Sequence, residues 1–184
     1  MLKSVLETDN RFGVIRLDTN SKKIAEVGCC AQIIKHQTSE DGRSNIVTLG
    51  QQRFHVLDIV REAPFRTAMV SWIDDDPVQD QEKLRRLTES VLTALTDVVS
   101  LSGKLTDSQT VLPDRIPENS RELSFWIAAH LGGPVADEQQ HLLELKNTVT
   151  RLEREYEMLD QTRRQLAART ALKDTFSNAD QRNS

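Results

Sequence analysis

The apolar positions of this chain follow two different rhythms in its two halves. Across residues 26–76, apolar-rich runs follow one another with short polar breaks, and no helical period runs through them. That pattern predicts a compact antiparallel sheet or small barrel. From about Asp80 onward, apolar residues recur at three and four, and the chain reads as helix almost to its end. The expected fold class is therefore α+β, a β part followed by an α part. Leu2, Val5 and Leu6 predict a short opening helix, which Asp9-Asn10 ends. Five strands are expected after it, at 11–17, 27–36, 44–49, 54–60 and 66–73. Ser39-Glu40-Asp41-Gly42 reads as a hairpin turn with Gly42 at positive φ. Gly50-Gln51-Gln52 reads as a tight connection, and Pro64 ends the fourth strand. Phe54 and Val56 are assigned inward, and Met69 and Trp72 are assigned to packing. The acidic run Asp74-Asp75-Asp76 closes the sheet and is placed to cap the next helix, since carboxylates favour a helix N-terminus.

Three helices are expected next. Leu84, Leu87, Val91, Leu92, Leu95, Val98 and Val99 mark an amphipathic helix ending near Gly103. A polar connection follows, kept out of helix by Pro113 and Pro117. Leu123, Trp126, Ile127 and Leu131 form the buried stripe of a second helix, which Gly132-Gly133-Pro134 stops. The third is predicted as one helix from near Asp137 to Asp174, on the order of 55 Å long at about 1.5 Å per residue. Leu142, Leu145, Val149, Leu152, Tyr156 and Leu159 alternate spacings of three and four along it, and Leu166 continues the register. This heptad seam has two readings: its first half packs on the earlier helices, and its second half pairs with another chain as a coiled coil. The second reading makes Leu152, Tyr156, Leu159 and Leu166 self-association residues. Arginines at 151, 154, 163, 164 and 169 interleave with Glu153, Glu155, Glu157 and Asp160, which predicts a solvated face with i,i+4 pairs.

Composition narrows the function. With 28% charged and 4% aromatic residues, the 184-residue chain reads as globular and large enough to bury a core. No apolar run reaches the ~20 residues of a membrane span, and no secretory signal is visible at the start. A net charge of −4 disfavours nucleic acid as a partner. Cys29 and Cys30 are adjacent and are expected to be reduced, in a cytoplasmic protein.

The search for chemistry finds no phosphate-cradling loop, no nucleophile elbow and no paired zinc-binding histidines. Cys29, Cys30, His36 and His55 lack the paired spacing of a structural zinc site, and adjacent strand residues point to opposite faces. The three aspartates lack the alternating pattern of a calcium loop. No catalytic residue, metal or cofactor is therefore assigned, and the chain is expected not to be an enzyme.

Several strings, in order, carry a resemblance. They are Arg11-Phe12-Gly13-Val14, Glu26-Val27-Gly28, Asp41-Gly42-Arg43, Gly50-Gln51-Gln52-Arg53-Phe54 and Ala63-Pro64-Phe65. With the helical second half, they resemble the N-terminal substrate-binding domain of the Lon protease family, and more closely its stand-alone members from bacteria and plastids. The resemblance implies a PUA-like pseudobarrel over 1–77 and a helical bundle with a long final helix over 78–176; the polar run 177–184 reads by itself as a disordered tail. The family usually opens with a strand before a short helix, and Met1 falls inside that helix; either the native start lies upstream, which is the preferred reading, or this variant lacks the strand. Full Lon proteases carry ATPase and peptidase modules, for which this chain has no counterpart. The expected function is a non-catalytic module that binds unfolded or extended protein segments, with Phe65, Met69 and Trp72 as peptide anchors. The implied compartment is the cytoplasm, or the plastid stroma in a plastid-bearing organism. The alternatives are an RNA-binding PUA-like module, or a scaffold that forms homo-oligomers through the C-terminal helix.

Overall fold

The alternating runs of the first half fold into a four-stranded antiparallel meander, preceded by the short helix α1 (Leu2–Leu6). Its strands are β1 (Arg11–Val14), β2 (Val27–Thr38), β3 (Ser44–Arg61) and β4 (Thr67–Ile73), in that order across the sheet. In this computed structural model, residues 1–19, 21–108, 112, 113, 115–132 and 135–182 are described. The turn between β2 and β3 is the expected one: Ser39 N–H donates to Arg43 O at 2.8 Å, and Gly42 takes φ +82°.

The strand count is corrected from five to four. Gly50-Gln51-Gln52 is not a connection but the middle of the 18-residue β3, where Gly50 pairs with Ala31 and Arg53 with Cys29. Between those pairs two residues of β3, Gln51 and Gln52, face one of β2, Cys30, so the strand absorbs the extra residue as an irregularity instead of turning. Two further offsets, at Leu57 and Val60, occur where β3 pairs with β4. Gly13 and Gly28 admit the ring of Phe54: a Cβ on Gly28 would stand 2.5 Å from that ring.

The chain divides into two units. The first comprises Met1–Asp75 and Ala136–Lys146, and so contains the sheet and helix α4 (Ala136–Glu144). The second comprises Asp76–Val135 and Asn147–Ser184, and contains α2 (Gln81–Thr106), α3 (Ser120–His130) and α5 (Thr148–Arg182).

The predicted single helix over 137–174 is thus two helices that belong to different units. Two local causes break it. Arg53 of β3 donates from Nη1 to the carbonyls of Leu143 and Leu145, at 2.6 and 2.7 Å, which caps the end of α4. The carboxamide of Asn147 then accepts from Thr150 N–H at 3.0 Å, the N-cap pattern that starts α5. α4 is fixed in the first unit by the fully buried Leu142, by Gln140 Nε2 donating to Val27 O at 3.1 Å, and by an Arg16–Asp137 ion pair. At its far end α5 stays helical through Arg182, beyond the tail boundary expected at 177.

In the second unit, Val91, Ala94, Leu95, Leu123, Ile127, Leu152 and Leu159 form the core. Three rungs join α2 to α5: Lys83–Glu153 at 2.7 Å, Asp97–Arg163 at 3.3 Å and Asp107–Lys173 at 2.7 Å. Both partners advance along the chain from rung to rung, so the two helices run parallel. Lys173 also donates to the Lys104 and Leu105 carbonyls, which lets α2 continue one turn past Gly103. The N-cap of α2 is Asp80, whose carboxylate accepts from Lys83 N–H at 2.8 Å. The cap expected from the run 74–76 is therefore corrected. Asp74 accepts from Gln52 Nε2, and Asp75 is buried against Arg53.

Candidate functional site

The residues singled out from sequence fall into two groups with opposite surroundings. The helical stripe is buried within its own unit. Leu152 is 0% exposed and Leu159 5%, both in the core with α2 and α3, and Tyr156 packs against them. This corrects the self-association reading of Leu152, Tyr156 and Leu159: the seam is filled by α2 running parallel to it. Leu166 is half-buried on the same helix. The Lys173 rung shows that α5 stays against α2 well past Leu159, in the half of the seam assigned to pairing with another chain.

The mixed-charge face of α5 is only partly solvated. Arg151 and Glu155, one turn apart, are both fully buried. Arg151 donates from Nε to Ser124 Oγ at 2.7 Å and from Nη2 to Thr148 Oγ1 at 3.3 Å, and its guanidinium lies 4.0 Å from the Phe125 ring centre. Among the described residues neither carboxyl oxygen of Glu155 has a hydrogen-bond partner. Burial pushes its pKa up to about 9, against the weaker opposing pull of Arg151. At neutral pH Glu155 is thus a neutral acid. Downstream, Asp160 makes the expected pairs with Arg163 and Arg164 but is itself buried; the Arg163 hydrogen bond holds its carboxyl below the usual range, and Arg164 adds to the effect.

The β4 group is open. Met69 and Trp72 are 59% and 56% exposed, so the packing role expected for them is corrected. Trp72 meets the buried Phe54 edge-on, with centroids 6.5 Å apart. Phe65 is half-buried beneath the guanidinium of Arg61, 5.0 Å from its ring centre. These three do not form one patch. β4 pairs residue by residue without a skip, so Met69 and Trp72, three apart, point to opposite faces. The offsets at Leu57 and Val60 add exposed aliphatics to this part of the sheet.

The remaining candidates stay apart. Cys30 is buried, and burial raises its thiol pKa, while Cys29 is half-buried and donates weakly to backbone carbonyls. His55 lies 3.4 Å from Glu26, and His36 Nε2 lies 3.3 Å from Thr38 Oγ1. Among the described residues no group of three or more metal-type side chains converges. A groove of the helical unit is lined by Arg86, Glu89, Thr93, Tyr156 and Arg163. Its arginines are engaged by Glu82, Asp97 and Asp160, so it offers no net positive field to an anion. The buried Arg53 node was not singled out from sequence, although Arg53 stood in the string 50–54. No local pattern announces a cation buried on a strand, because its partners lie 22 and about 90 residues away.

Comparison with known proteins agrees with this geometry. The family model described as the ATP-dependent protease La (LON) substrate-binding domain matches residues 1–161. Lon protease of Cytophaga hutchinsonii is 23% identical over 158 residues, which cover 82% of this chain and 19% of that protein. Lon protease of Trichlorobacter lovleyi is 28% identical over 160 residues, with 83% and 19% covered. The chain therefore spans about a fifth of the length of the curated relatives it matches. Two solved structures share the fold. A Lon N-terminal domain protein from Xanthomonas campestris gives a TM-score of 0.53 at 20% identity, covering 83% of this chain and 78% of that one. The N-terminal domain of Mycobacterium avium complex Lon protease gives 0.58 at 15% identity, covering 80% and 77%. With its sheet, its helical unit and a family match over most of its length, the chain belongs to the Lon substrate-binding domain family.

Proposed function

We propose that this chain is a non-catalytic module that binds unfolded or extended polypeptide through its β unit. One observation carries the reading. The sheet exposes many large apolar side chains, Leu57, Val60, Met69 and Trp72 among them, whereas those of the helical unit are mostly spent on its own core. Large exposed apolar surface on a folded domain marks an interaction site. Phe65 and Trp72 supply aromatic anchors, and Met69 supplies an adaptable one on the opposite face. The acidic balance of the chain and the paired arginines of its helices speak against RNA as the ligand. Among the described residues no helix is long and apolar enough to cross a membrane.

The test is a titration of a labelled model protein in two forms, one kept unfolded by reduction and thiol blocking, the other native. The reading expects saturable binding of the unfolded form, weakened by a Met69→Ser, Trp72→Ser pair, and none of the native form. Equal binding of both forms, or of neither, would overturn it.

A further inference from the structure

The exposed apolar residues of the sheet include a second set, away from β4. β2 lines one side of β3 from Ser44 to His55, whereas β4 lines the other side only from Arg53 to Arg61. Among the described residues no strand covers the β4 side of positions 44–52. Those nine residues, Ser-Asn-Ile-Val-Thr-Leu-Gly-Gln-Gln, include no charge and no proline. Natural sheet edges are guarded by lysines, prolines, covering elements or short length. Among the described residues none of those guards operates over 44–49; a bulge, which is a further guard, lies at Gly50–Arg53 and ends the regular stretch. On this ribbon Val47 and Leu49, two apart, share a face and are half exposed. Ile34, the residue that the β2–β3 register skips between Ile33 and Lys35, is 55% exposed.

We propose that the open edge of β3 over residues 44–52 is an acceptor strand for an extended, uncharged, aliphatic-rich polypeptide segment, which joins the sheet as an additional strand. The proposal rests on the polypeptide-binding reading above and gives it a second seat, with its own ligand chemistry. Three features define the occupant. Open backbone N–H and C=O groups in strand register select an extended backbone. Val47 and Leu49 select an aliphatic side chain at every second position of the incoming strand. The neutral run selects against charge, because an incoming Lys or Asp would lose water there without meeting an opposite charge. Nine residues of strand span roughly 30 Å, enough for a tight register but short enough for release.

The experiment uses the whole chain and a fluorescein-labelled peptide of alternating valine and threonine. Two control peptides accompany it: one with lysine and aspartate at alternate positions, and one N-methylated at alternate backbone nitrogens. Anisotropy is expected to show the neutral peptide bound about tenfold or more tightly than either control. A Val47→Lys, Leu49→Lys protein, checked for native melting, is expected to lose that preference. Hydrogen exchange of the wild-type chain is expected to slow at residues 44–52 when the neutral peptide is added, which tests the seat without any substitution. If the lysine variant binds the peptide as well as wild type, or if N-methylation has no effect, this proposal falls, while binding of unfolded protein still supports the broader function. If wild type binds neither peptide nor unfolded protein, both fall together. A wild-type dimer in light scattering that dissociates in the lysine variant would assign the edge to a second copy and overturn the proposal.

Discussion

The two units of this protein use their apolar residues in opposite ways. In the helical unit, α2 and α5 run parallel and enclose Leu152 and Leu159 so fully that even Arg151 and Glu155 are sealed beneath the surface. In the β unit, Ile34, Val47, Leu49, Leu57, Val60, Met69 and Trp72 stand half exposed or more on an 18-residue strand and its neighbours. Under the proposed function, the contrast locates binding on the sheet. A stripe that looks sticky on a helix is spent on stability, and the residues left for a partner sit on strands whose edges are not fully paired. Substitutions should therefore separate the units: those in the helical unit and at the Arg53 node change stability, and those on the exposed sheet change binding.

The largest effect is expected at Arg53. Its guanidinium holds Asp75 and two terminal carbonyls of α4 while only 3% exposed. Withdrawing one partner from a buried ion pair costs about 3–5 kcal/mol. Arg53→Met should lower the denaturation midpoint of the β unit accordingly and speed amide exchange in α4. A loss under 1 kcal/mol would show that the node does not anchor α4. Next is Leu152→Ala, expected to cost about 2–5 kcal/mol in chemical denaturation because it opens a cavity in a closed core. If the same change instead altered only the oligomeric state, the seam would be intermolecular after all.

Glu155→Gln sharpens the comparison through pH. The folded unit holds the Glu155 proton to about pH 9, whereas an unfolded chain releases it near its ordinary value of 4.5. Between those values the folded state carries the extra proton. Stability therefore falls as pH rises through that window and levels off above it. The slope is at most about 1.4 kcal/mol per pH unit. The glutamine variant should flatten the decline and melt above wild type at pH 8; parallel curves for the two proteins would refute the buried neutral acid. The smallest effect is expected from Met69→Ser with Trp72→Ser, which should leave stability within about 1 kcal/mol while weakening capture of unfolded polypeptide.

Much of the architecture was legible from spacing alone. The Ser39–Gly42 turn, the stripes of α2 and α3 and the change from sheet to helix each follow from a local period or a turn residue. What escaped depends on partners distant in the chain. Gly50 looks like a turn until Ala31 pairs with it. Leu142 and Leu145 continue the heptad of α5 in sequence, yet a strand arginine and the Asn147 cap divide that register between two units. Arg151 and Glu155 look solvated because the alternating charges of a helix do not reveal their burial, which for Arg151 comes with contacts to Ser124 and Phe125 of α3. The offsets at Leu57 and Val60 leave no mark in composition, although they decide which apolar residues end up beside β4. The family resemblance was legible because its strings fall at turns and strand starts, where backbone geometry restricts the residue choice.

The account is tested most directly by hydrogen exchange across the whole chain, with and without an excess of permanently unfolded protein. Slower exchange confined to β3 and β4, with α2, α3 and α5 unchanged, is the predicted result. Protection confined to α5, or no protection anywhere at saturating ligand, would contradict it.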